Sequence, residues 1–344
     1  MTVGLAALGW DETWAAAWAT PELDGLRAAG ATPARVAIEH RGAVEVVDEG
    51  GAFWAQSTGK MFFDAGDKRG LPVVGDWVIV GDADAARASG SRARLNAILP
   101  RRSCLVRRAA GEKEEPQPIA ANVDVAFVVT SANQDLNPRR LERYLATVRD
   151  GGAAPVIVLN KIDLVADAAP LVAAAAAVAD GAPVVPMSAS TGAGVGALFP
   201  FLGVGRTAVV VGSSGVGKST IVSALAAGEL ALATQPTREH DDHGRHTTTR
   251  RELFVLASGG VLIDTPGMRE LQLWGDDEGA VAAFDDVDAL AAGCRFSDCR
   301  HREEPGCAVR AAVVSGALTP ERLASFHKLA DERAAALARR PRRR

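Results

Sequence analysis

The chain has 344 residues, of which 48% are hydrophobic and 23% charged, and its formal net charge is −4. This composition is ordinary for a globular protein, and the length suits two or three domains of roughly 100–200 residues each. The acidic balance excludes binding to nucleic acid by overall charge alone, and the lack of any apolar run of about 18 residues excludes a hydrophobic membrane span.

The first 30 residues are predicted to form a helical N-terminal extension. Trp10, Trp14 and Trp18 recur at spacings close to a helical turn, and Trp14 and Trp18 are expected to pack rather than to bind a ligand. The basic start and apolar core of a signal peptide are missing here, so a cytoplasmic protein without membrane contact is expected.

Residues 31–112 change to short strands separated by Gly and Asp turns. The predicted strands are residues 35–38, 43–47, 53–55 and 76–80. About five strands in this length are typical of a small β-barrel of the oligonucleotide-binding (OB) type, although periodicity alone does not separate it from other small barrels. Pro116 and Pro118 are expected to mark a linker after the barrel.

Positive charge is concentrated in two blocks of this acidic chain. Residues 87–108 contain seven arginines and no acid, and the last six residues contain five arginines. Such blocks predict local contacts with the phosphate backbone of a nucleic acid. A solvated loop face and a basic tail are the alternative interpretation.

Residues 113–273 alternate between strand and helix, which is typical of a doubly wound α/β domain. The predicted strands are residues 123–130, 155–159, 184–187, 209–211, 253–256 and 261–263. The predicted helices are residues 138–149, 171–179 and 218–227. Ligand-binding loops in such domains lie at the carboxyl ends of the strands. Residues 274–344 are predicted to form a helical domain, with helices at 307–315 and 320–338.

A phosphate-binding loop (P-loop) lies between a predicted strand and a predicted helix. Its residues are Gly212, Ser213, Ser214, Gly215, Val216, Gly217, Lys218, Ser219 and Thr220. The glycines let backbone N–H groups face phosphate oxygens, and the helix N-terminus favours the anion. Lys218 is expected to reach the β and γ phosphates of a nucleotide, and Ser219 to bind Mg²⁺.

Two further loops select guanine as the base. Asp163 can accept hydrogen bonds from N1–H and the exocyclic amine, two donors that adenine does not present together. The expected base-binding residues are Asn160, Lys161, Ile162, Asp163, Ser188 and Ala189. The first four form an Asn-Lys-x-Asp motif, which is weak evidence alone but strong beside a P-loop. GTP is therefore the expected ligand.

The order of these motifs indicates a circular permutation. The base-reading loop comes before the P-loop, whereas in a Ras-like domain it comes last. After both follows Asp264-Thr265-Pro266-Gly267, in which Asp264 is expected near Mg²⁺ and the Gly267 N–H near the γ-phosphate. Thr248, with Thr247 as the alternative, is expected to bind Mg²⁺ and the γ-phosphate.

The residue after Gly267 is Met268, where Ras-like proteins place a Gln that orients the attacking water. Methionine cannot orient water through a hydrogen bond, so slow intrinsic hydrolysis is expected. His246 is the nearest candidate for the missing group. It lies in a His-rich segment that could instead bind a metal or form a polar loop.

A cysteine and histidine cluster follows in the last domain. Cys294, Cys299, His301 and Cys307 lie within fourteen residues and suit one structural Zn²⁺ with four ligands. The alternative is a chance group of thiols, since disulfides are not expected in a reducing cytosol. Cys104 lies far away and is expected to be a small apolar residue.

The chain resembles the ribosome small subunit-dependent GTPase A family, bacterial GTPases with a circularly permuted GTP-binding domain. The resemblance covers nearly the whole chain. Besides the nucleotide and zinc motifs, it rests on residues 71–77 of the barrel, on residues 98–103 and on residues 119–124. It implies an OB-type barrel, a central permuted Ras-like P-loop GTPase domain and a helical zinc-binding domain.

The resemblance implies a monomeric factor in late maturation of the small ribosomal subunit. Its partners would be that subunit, its rRNA and other assembly factors, bound through the barrel and zinc domains. Subunit contact would stimulate GTP hydrolysis, which would accompany release. Met268 keeps open a second hypothesis, an RNA-binding scaffold that holds GTP without turnover; a permuted GTPase acting on the large subunit or on tRNA is a third. The permuted order also suggests that loss of the γ-phosphate shifts the zinc domain.

Overall fold

The computed structural model describes residues 4–40, 42–66, 68–108, 116–132, 136–213, 215–226, 230–232, 251–264, 285–296, 299–320, 322–324 and 326–327. The chain divides into two compact units, Met1–Trp274 and Gly275–Arg344. Within the described ranges, no helix has both the length and the apolar character needed to cross a membrane. The boundaries of the four predicted domains remain predictions.

The N-terminal extension is helical, as its sequence predicts. It contains α1 (Glu12–Trp18), α2 (Asp24–Ala28) and two 3₁₀ turns, Leu5–Leu8 and Pro21–Leu23. Asp11 caps α1 by accepting hydrogen bonds from the backbone N–H groups of Thr13 and Trp14. Trp14 is only 3% exposed, and both Trp10 and Trp14 pack near Trp77, which confirms a packing role for Trp14.

The next segment closes into a five-stranded barrel. Its strands are β1 (Thr32–His40), β2 (Ala43–Asp48), β3 (Gly51–Ser57), β4 (Trp77–Gly81) and β5 (Ala93–Ile98). They pair in the order β1-β2-β3-β5-β4, and β4 returns to β1. Helix α3 (Gly59–Asp64) precedes β4, and α4 (Ala83–Ser89) precedes β5. Alternating apolar residues fill the interior, and the prediction of an OB-type barrel is confirmed.

The arginine block of residues 87–108 is largely paired within the chain. The ion pairs join Arg87 to Asp48, Arg94 to Asp82, Arg101 to Asp76, and Arg102 to Asp11. Arg92 also donates a hydrogen bond to Gln56 over 3.3 Å. These ion pairs offset much of the positive charge of four of the five arginines. Contact of the block with the phosphate backbone of a nucleic acid stays a prediction.

The segment expected to be a linker is a two-stranded ribbon. Strands β6 (Cys104–Arg108) and β7 (Pro116–Ala121) pair antiparallel, with Pro118 opposite Val106. Pro116 and Pro118 alternate along β7, and the Pro118 carbonyl oxygen accepts a hydrogen bond from Arg251 Nη1. Because a two-stranded ribbon leaves one side of each strand unpaired, prolines facing that side cost no ladder hydrogen bond.

The remainder of the first unit is a doubly wound sheet. Its strands are β8 (Val125–Ser131), β9 (Ala154–Asn160), β10 (Val184–Pro186), β11 (Thr207–Gly212), β12 (Leu230–Leu232), β13 (Glu252–Leu256) and β14 (Val261–Asp264). Its helices are α5 (Pro138–Asp150), α6 (Ala169–Ala177) and α7 (Lys218–Ala226). The predicted elements of this domain are present, with small shifts at their ends.

The strand order explains how a permuted chain still builds one nucleotide edge. The order is β10-β9-β8-β11-β14-β13, in which the first five strands are parallel. The chain runs outward from β8 to β10 and then returns to β11, beside β8. This neighbouring pair is the point where the winding direction changes, which is where ligands bind in such sheets.

The second unit contains two described α-helices, α8 (Asp285–Ala291) and α9 (Ala308–Ser315). Its described residues include four buried aliphatic side chains, those of Val287, Val309, Ala312 and Leu318. Helical turns are also described at residues 320, 322–324 and 326–327, and the rest of the helix predicted for 320–338 lies outside the described residues. Among the described residues of this unit few apolar side chains are buried, so another source of stability is expected there.

Candidate nucleotide and metal sites

The P-loop connects β11 to α7, as its sequence context predicts. Gly212 has a φ of 147°, and a Cβ there would lie 2.3 Å from the Val129 carbonyl oxygen, so only glycine fits. Lys218 begins α7, and its Nζ donates to the carbonyl oxygens of Gly212 and Ser213 over 2.8 and 2.6 Å. The ammonium group therefore lies over the loop, where phosphate oxygens can replace these acceptors.

Asn160 joins three loops at the carboxyl edge of the sheet. Its side chain is 2% exposed, its Nδ2 donates to the Val216 carbonyl oxygen over 2.8 Å, and its Oδ1 accepts from the Ala189 N–H over 3.0 Å. One amide thus connects the base-reading loop with both the P-loop and the Ser188 loop. Its amide NH₂ donates while its amide oxygen accepts, so both polar ends of the side chain are used.

Hydrogen bonds from Lys161 and Ile162 hold the base-reading loop against its neighbouring loops and leave Asp163 exposed. Lys161 adopts a left-handed backbone with a φ of 63°, and its Nζ donates to the Gly215 carbonyl oxygen over 2.6 Å. The Ile162 N–H donates to the Met187 carbonyl oxygen, while the Asp163 side chain is exposed. Ser188 is fully buried, and its hydroxyl lies 3.0 Å from that of Ser190. Asp163 is therefore available to a ligand.

Asp264 ends β14, directly beside the P-loop strand. Val209 of β11 pairs with Ile263 of β14, which places Asp264 at the same sheet edge as Gly212. Ser219 and Thr220 are exposed in the first turn of α7. The predicted residues Ser214, His246, Thr248 and Gly267, together with Met268, lie outside the described residues.

In the second unit, the predicted cysteine and histidine side chains converge. The ligand atoms of Cys294, Cys299, His301 and Cys307 all lie within 4.8 Å of one another. Cys294 Sγ lies 3.9 Å from Cys307 Sγ, and His301 Nδ1 lies 3.5 and 3.4 Å from these two sulfurs. A tetrahedral Zn²⁺ with its usual bond lengths requires about 3.8 Å between sulfurs and about 3.5 Å between sulfur and nitrogen. The donor set fits the ion.

Backbone hydrogen bonds shape this cluster. The Ala308 N–H donates to Cys294 Sγ over 3.3 Å, and the Arg310 N–H donates to Cys307 Sγ over 3.5 Å. Glu304 braces the loop, because its carboxylate accepts from the backbone N–H groups of Arg300, Arg302 and Glu303. Its own N–H and these donors lower the pKa of Glu304 to about 2.

Comparison with known proteins identifies the family. The model of the family described as RsgA GTPase matches residues 98–274. A protein of Opitutus terrae named small ribosomal subunit biogenesis GTPase RsgA is 46% identical over 340 residues, which cover 97% of this chain and 91% of that protein. The chain belongs to the RsgA GTPase family.

Solved structures agree with this assignment. YjeQ from Thermotoga maritima superposes with a TM-score of 0.64 at 26% sequence identity, covering 88% of this chain and 98% of that chain. YloQ, described as a circularly permuted GTPase, superposes with a TM-score of 0.59 at 26% identity, covering 91% and 97%. The predicted permuted GTPase fold is confirmed, and this RsgA-family chain is a GTP-hydrolysing enzyme.

Sequence reasoning missed a buried polar junction at the opposite end of the GTPase sheet. Arg35 of β1 is 2% exposed and donates to the Thr207 hydroxyl over 2.8 Å and to the Asn122 carbonyl oxygen over 3.2 Å. It also donates to the carbonyl oxygens of Leu8 and Gly75. Burial lowers the pKa of Arg35 to about 10. One barrel residue thus holds the extension and the P-loop strand together.

A second missed group supports the barrel side of this junction. Asp76 is fully buried and makes two hydrogen bonds with Arg101, of 2.7 and 2.8 Å. Burial raises the pKa of Asp76, against the opposing effect of Arg101. The sequence did contain a signal for this pair, since Asp76 begins a strand predicted to be buried. A buried carboxylate needs a partner, but its identity could not be read from the sequence.

Proposed function

We propose that this GTPase acts in the biogenesis of the small ribosomal subunit. The curated relative from Opitutus terrae carries that role in its name, and its match extends over 97% of this chain. Binding of GTP is supported by the Asn160 side chain, which joins the base-reading loop, the P-loop and the Ser188 loop at one sheet edge. An OB-type barrel on the same chain suits an rRNA partner.

In this proposal, guanine binds against the loop of residues 160–163. Asp163 accepts from N1–H and the exocyclic amine, and the Lys161 stem covers the ring face. Ile162 completes this loop, and a backbone N–H of the Ser188-Ala189-Ser190 loop donates to O6 of the base. Asp163 is exposed, which suits direct contact with the base. Asn160 is buried, which suits a role in holding the loops together.

The phosphates bind over residues 212–220, where Lys218 offsets charge on the β and γ groups. Ser219 and Thr248 would hold Mg²⁺ and Asp264 would lie near it, while the Gly267 N–H would donate to the γ-phosphate. When bound, Mg²⁺ neutralises charge that develops on the phosphate oxygens. The position of Asp264 beside the P-loop strand supports its part in this set.

Hydrolysis is attack of water on the γ-phosphorus, with GDP and phosphate as products. Because Met268 cannot orient that water, His246 is proposed to do so, and turnover by the free protein is slow. Replacement of His246 by Ala should preserve affinity for GTP and lower stimulated turnover. His243→Ala, in the same segment, is the matched control; equal turnover in the two variants would contradict the assignment.

The remaining proposals concern partners and metal. The cluster of three cysteines and His301 holds one structural Zn²⁺, supported by its interatomic distances. The protein acts as a cytoplasmic monomer, meets other assembly factors on the subunit, and leaves it after GTP hydrolysis. Contact with the small subunit stimulates turnover by bringing the water-orienting group, proposed to be His246, to the γ-phosphate.

The decisive experiment measures GTP turnover alone, with small ribosomal subunits and with large subunits. Stimulation by small subunits only is the expected result. Equal stimulation by both subunits would reject the specific partner. Binding to small subunits without any turnover would instead favour an RNA-binding scaffold.

A further inference from the structure

The OB-type barrel and the GTPase sheet are one continuous sheet. Strand β1 of the barrel pairs antiparallel with β13 through Ile38 and Glu252. On its other side, Glu252 pairs with Asp264 of β14. Three neighbouring strands thus place Ile38, Glu252 and Asp264 at the same level. A main-chain ladder leads directly from the barrel to the edge where the nucleotide binds.

An ion pair strengthens this contact beside the ladder. Arg251 Nη1 lies 2.8 Å from Glu39 Oε2, and the two side chains are 15% and 37% exposed. The same Nη1 lies 3.5 Å from the Pro118 carbonyl oxygen of β7. Arg251 therefore contacts both the barrel strand and the ribbon. We name the Ile38–Glu252 pairing with the Arg251–Glu39 ion pair the barrel–sheet seam.

A repulsive contact acts across the same strand. Glu45 of β2 pairs with Ile38 from the side opposite to Glu252. Burial, and then the charge of Glu252, raises the pKa of Glu45. One attractive and one repulsive interaction thus act across β1 at the seam.

The two ends of the seam adjoin the two functional regions. Glu39 is one residue from the end of β1, and OB-type barrels contact oligonucleotides through loops that include the one after their first strand. In the sequence, Arg251 follows residues 244–249, which include Thr248. Strand β13 also pairs with the strand that ends at Asp264.

We propose that Arg251 and Glu39 are positioning residues that transmit contact of an RNA backbone near the end of β1 to the GTP-hydrolysing edge. This inference rests on the proposed function. RNA contact displaces the end of β1, and the ion pair carries the displacement to β13 and then to β14. Neither residue touches the nucleotide. Loss of either should therefore reduce stimulation while leaving unstimulated chemistry intact.

The test measures turnover of Arg251→Ala and Glu39→Ala, with and without small subunits. Unstimulated turnover, affinity for a fluorescent GTP analogue and binding to small subunits should stay as in the unmodified protein. Stimulation should fall about fivefold or more in each variant, the lower range of typical coupling between sites. Arg251→Lys, which keeps the charge, should lose less.

Two controls separate coupling from damage to the fold. The double variant with Arg251→Glu and Glu39→Arg restores an ion pair of reversed polarity and should recover stimulation. Arg149→Ala removes an ion pair of similar length, 2.9 Å to Asp180, away from the seam and should keep full stimulation.

Each outcome is decisive. Unchanged stimulation in both single variants overturns the coupling while the proposed function stands. An equal fall in unstimulated and stimulated turnover also overturns it, because the residues would then support the catalytic edge itself. Absence of stimulation in the unmodified protein overturns both the proposed function and this inference.

Discussion

Asn160 Nδ2 donates to the Val216 carbonyl oxygen over 2.8 Å, and this contact explains a constraint on the neighbouring residue. A Cβ on Gly217 would lie 2.4 Å from the same Nδ2. Gly217 also has a φ of 97°, which side chains rarely adopt. The last glycine of the P-loop therefore makes room for the amide that joins this loop to the base-reading loop.

Replacement of Asn160 by Ala should weaken nucleotide binding through loss of this connection. The Val216 carbonyl and the Ala189 N–H would lose their partner, at a cost of about 1–3 kcal/mol for each buried group. Affinity for a fluorescent GTP analogue should fall about tenfold or more.

Asn137→Ala provides the control for that titration. Asn137 is an exposed N-cap of α5, whose side chain accepts from the Arg140 N–H over 3.1 Å. Its loss should lower stability by about 1 kcal/mol and leave affinity for GTP unchanged. Equal affinities in the two variants would reject the joining role of Asn160.

The parts of the site that sequence could predict are those encoded over short distances. The P-loop glycines and the Cys294–Cys307 spacing are local patterns, because in each a short stretch of chain must supply several groups that bind one ligand. The junction at Arg35 has no such pattern, since its partner Thr207 is 172 residues away. The linker predicted at Pro116 and Pro118 is wrong for a related reason. Whether a proline interrupts a strand depends on whether its backbone nitrogen faces a paired or an unpaired side of that strand, and the sequence alone does not show this.

Arg35→Met should destabilise the first unit by about 3 kcal/mol or more. The substitution removes the donor shared by the Thr207 hydroxyl and the carbonyl oxygens of Leu8, Gly75 and Asn122, and it removes a buried positive charge near Asp76 and Asp124. Urea unfolding followed by tryptophan fluorescence measures the change, since the guanidinium carbon lies 5.5 Å from the Trp77 ring centroid.

Thr207→Val calibrates that measurement. It removes one acceptor of similar shape and should cost only about 1 kcal/mol. If Arg35→Met and Thr207→Val were equally mild, the buried guanidinium would not be the centre of the junction.

Cys299→Ser should abolish stoichiometric zinc and loosen the second unit. Three ligands remain, and the described part of this unit, which buries few apolar side chains, is expected to depend on the metal for its folding energy. Native mass spectrometry should show one zinc per unmodified chain, and hydrogen exchange should show loss of protection in α9. Cys104→Ser, outside the cluster, should keep both. A zinc-free unmodified protein with a protected α9 would contradict the structural role.

Glu45→Gln should stabilise the protein at neutral pH but not in acid. The pKa of Glu45 in the fold lies above its ordinary value of 4.5, first because of burial and then because of Glu252. The folded state therefore binds this proton more tightly than the unfolded chain does. The resulting stability is present below pH 4.5 and is lost as the pH rises through the folded-state pKa. Glutamine removes the charge that causes the loss.

Thermal unfolding at two pH values measures this effect. At pH 7.5, Glu45→Gln should raise Tm, by about 2–4 °C for each kcal/mol of charge burial removed. Near pH 4, where Glu45 is protonated, the variant and the unmodified protein should melt together. Glu49→Gln, an exposed position in the same hairpin, should leave Tm unchanged at both values. A gain for Glu45→Gln of equal size at both pH values would show that packing, and not charge, distinguishes the two side chains.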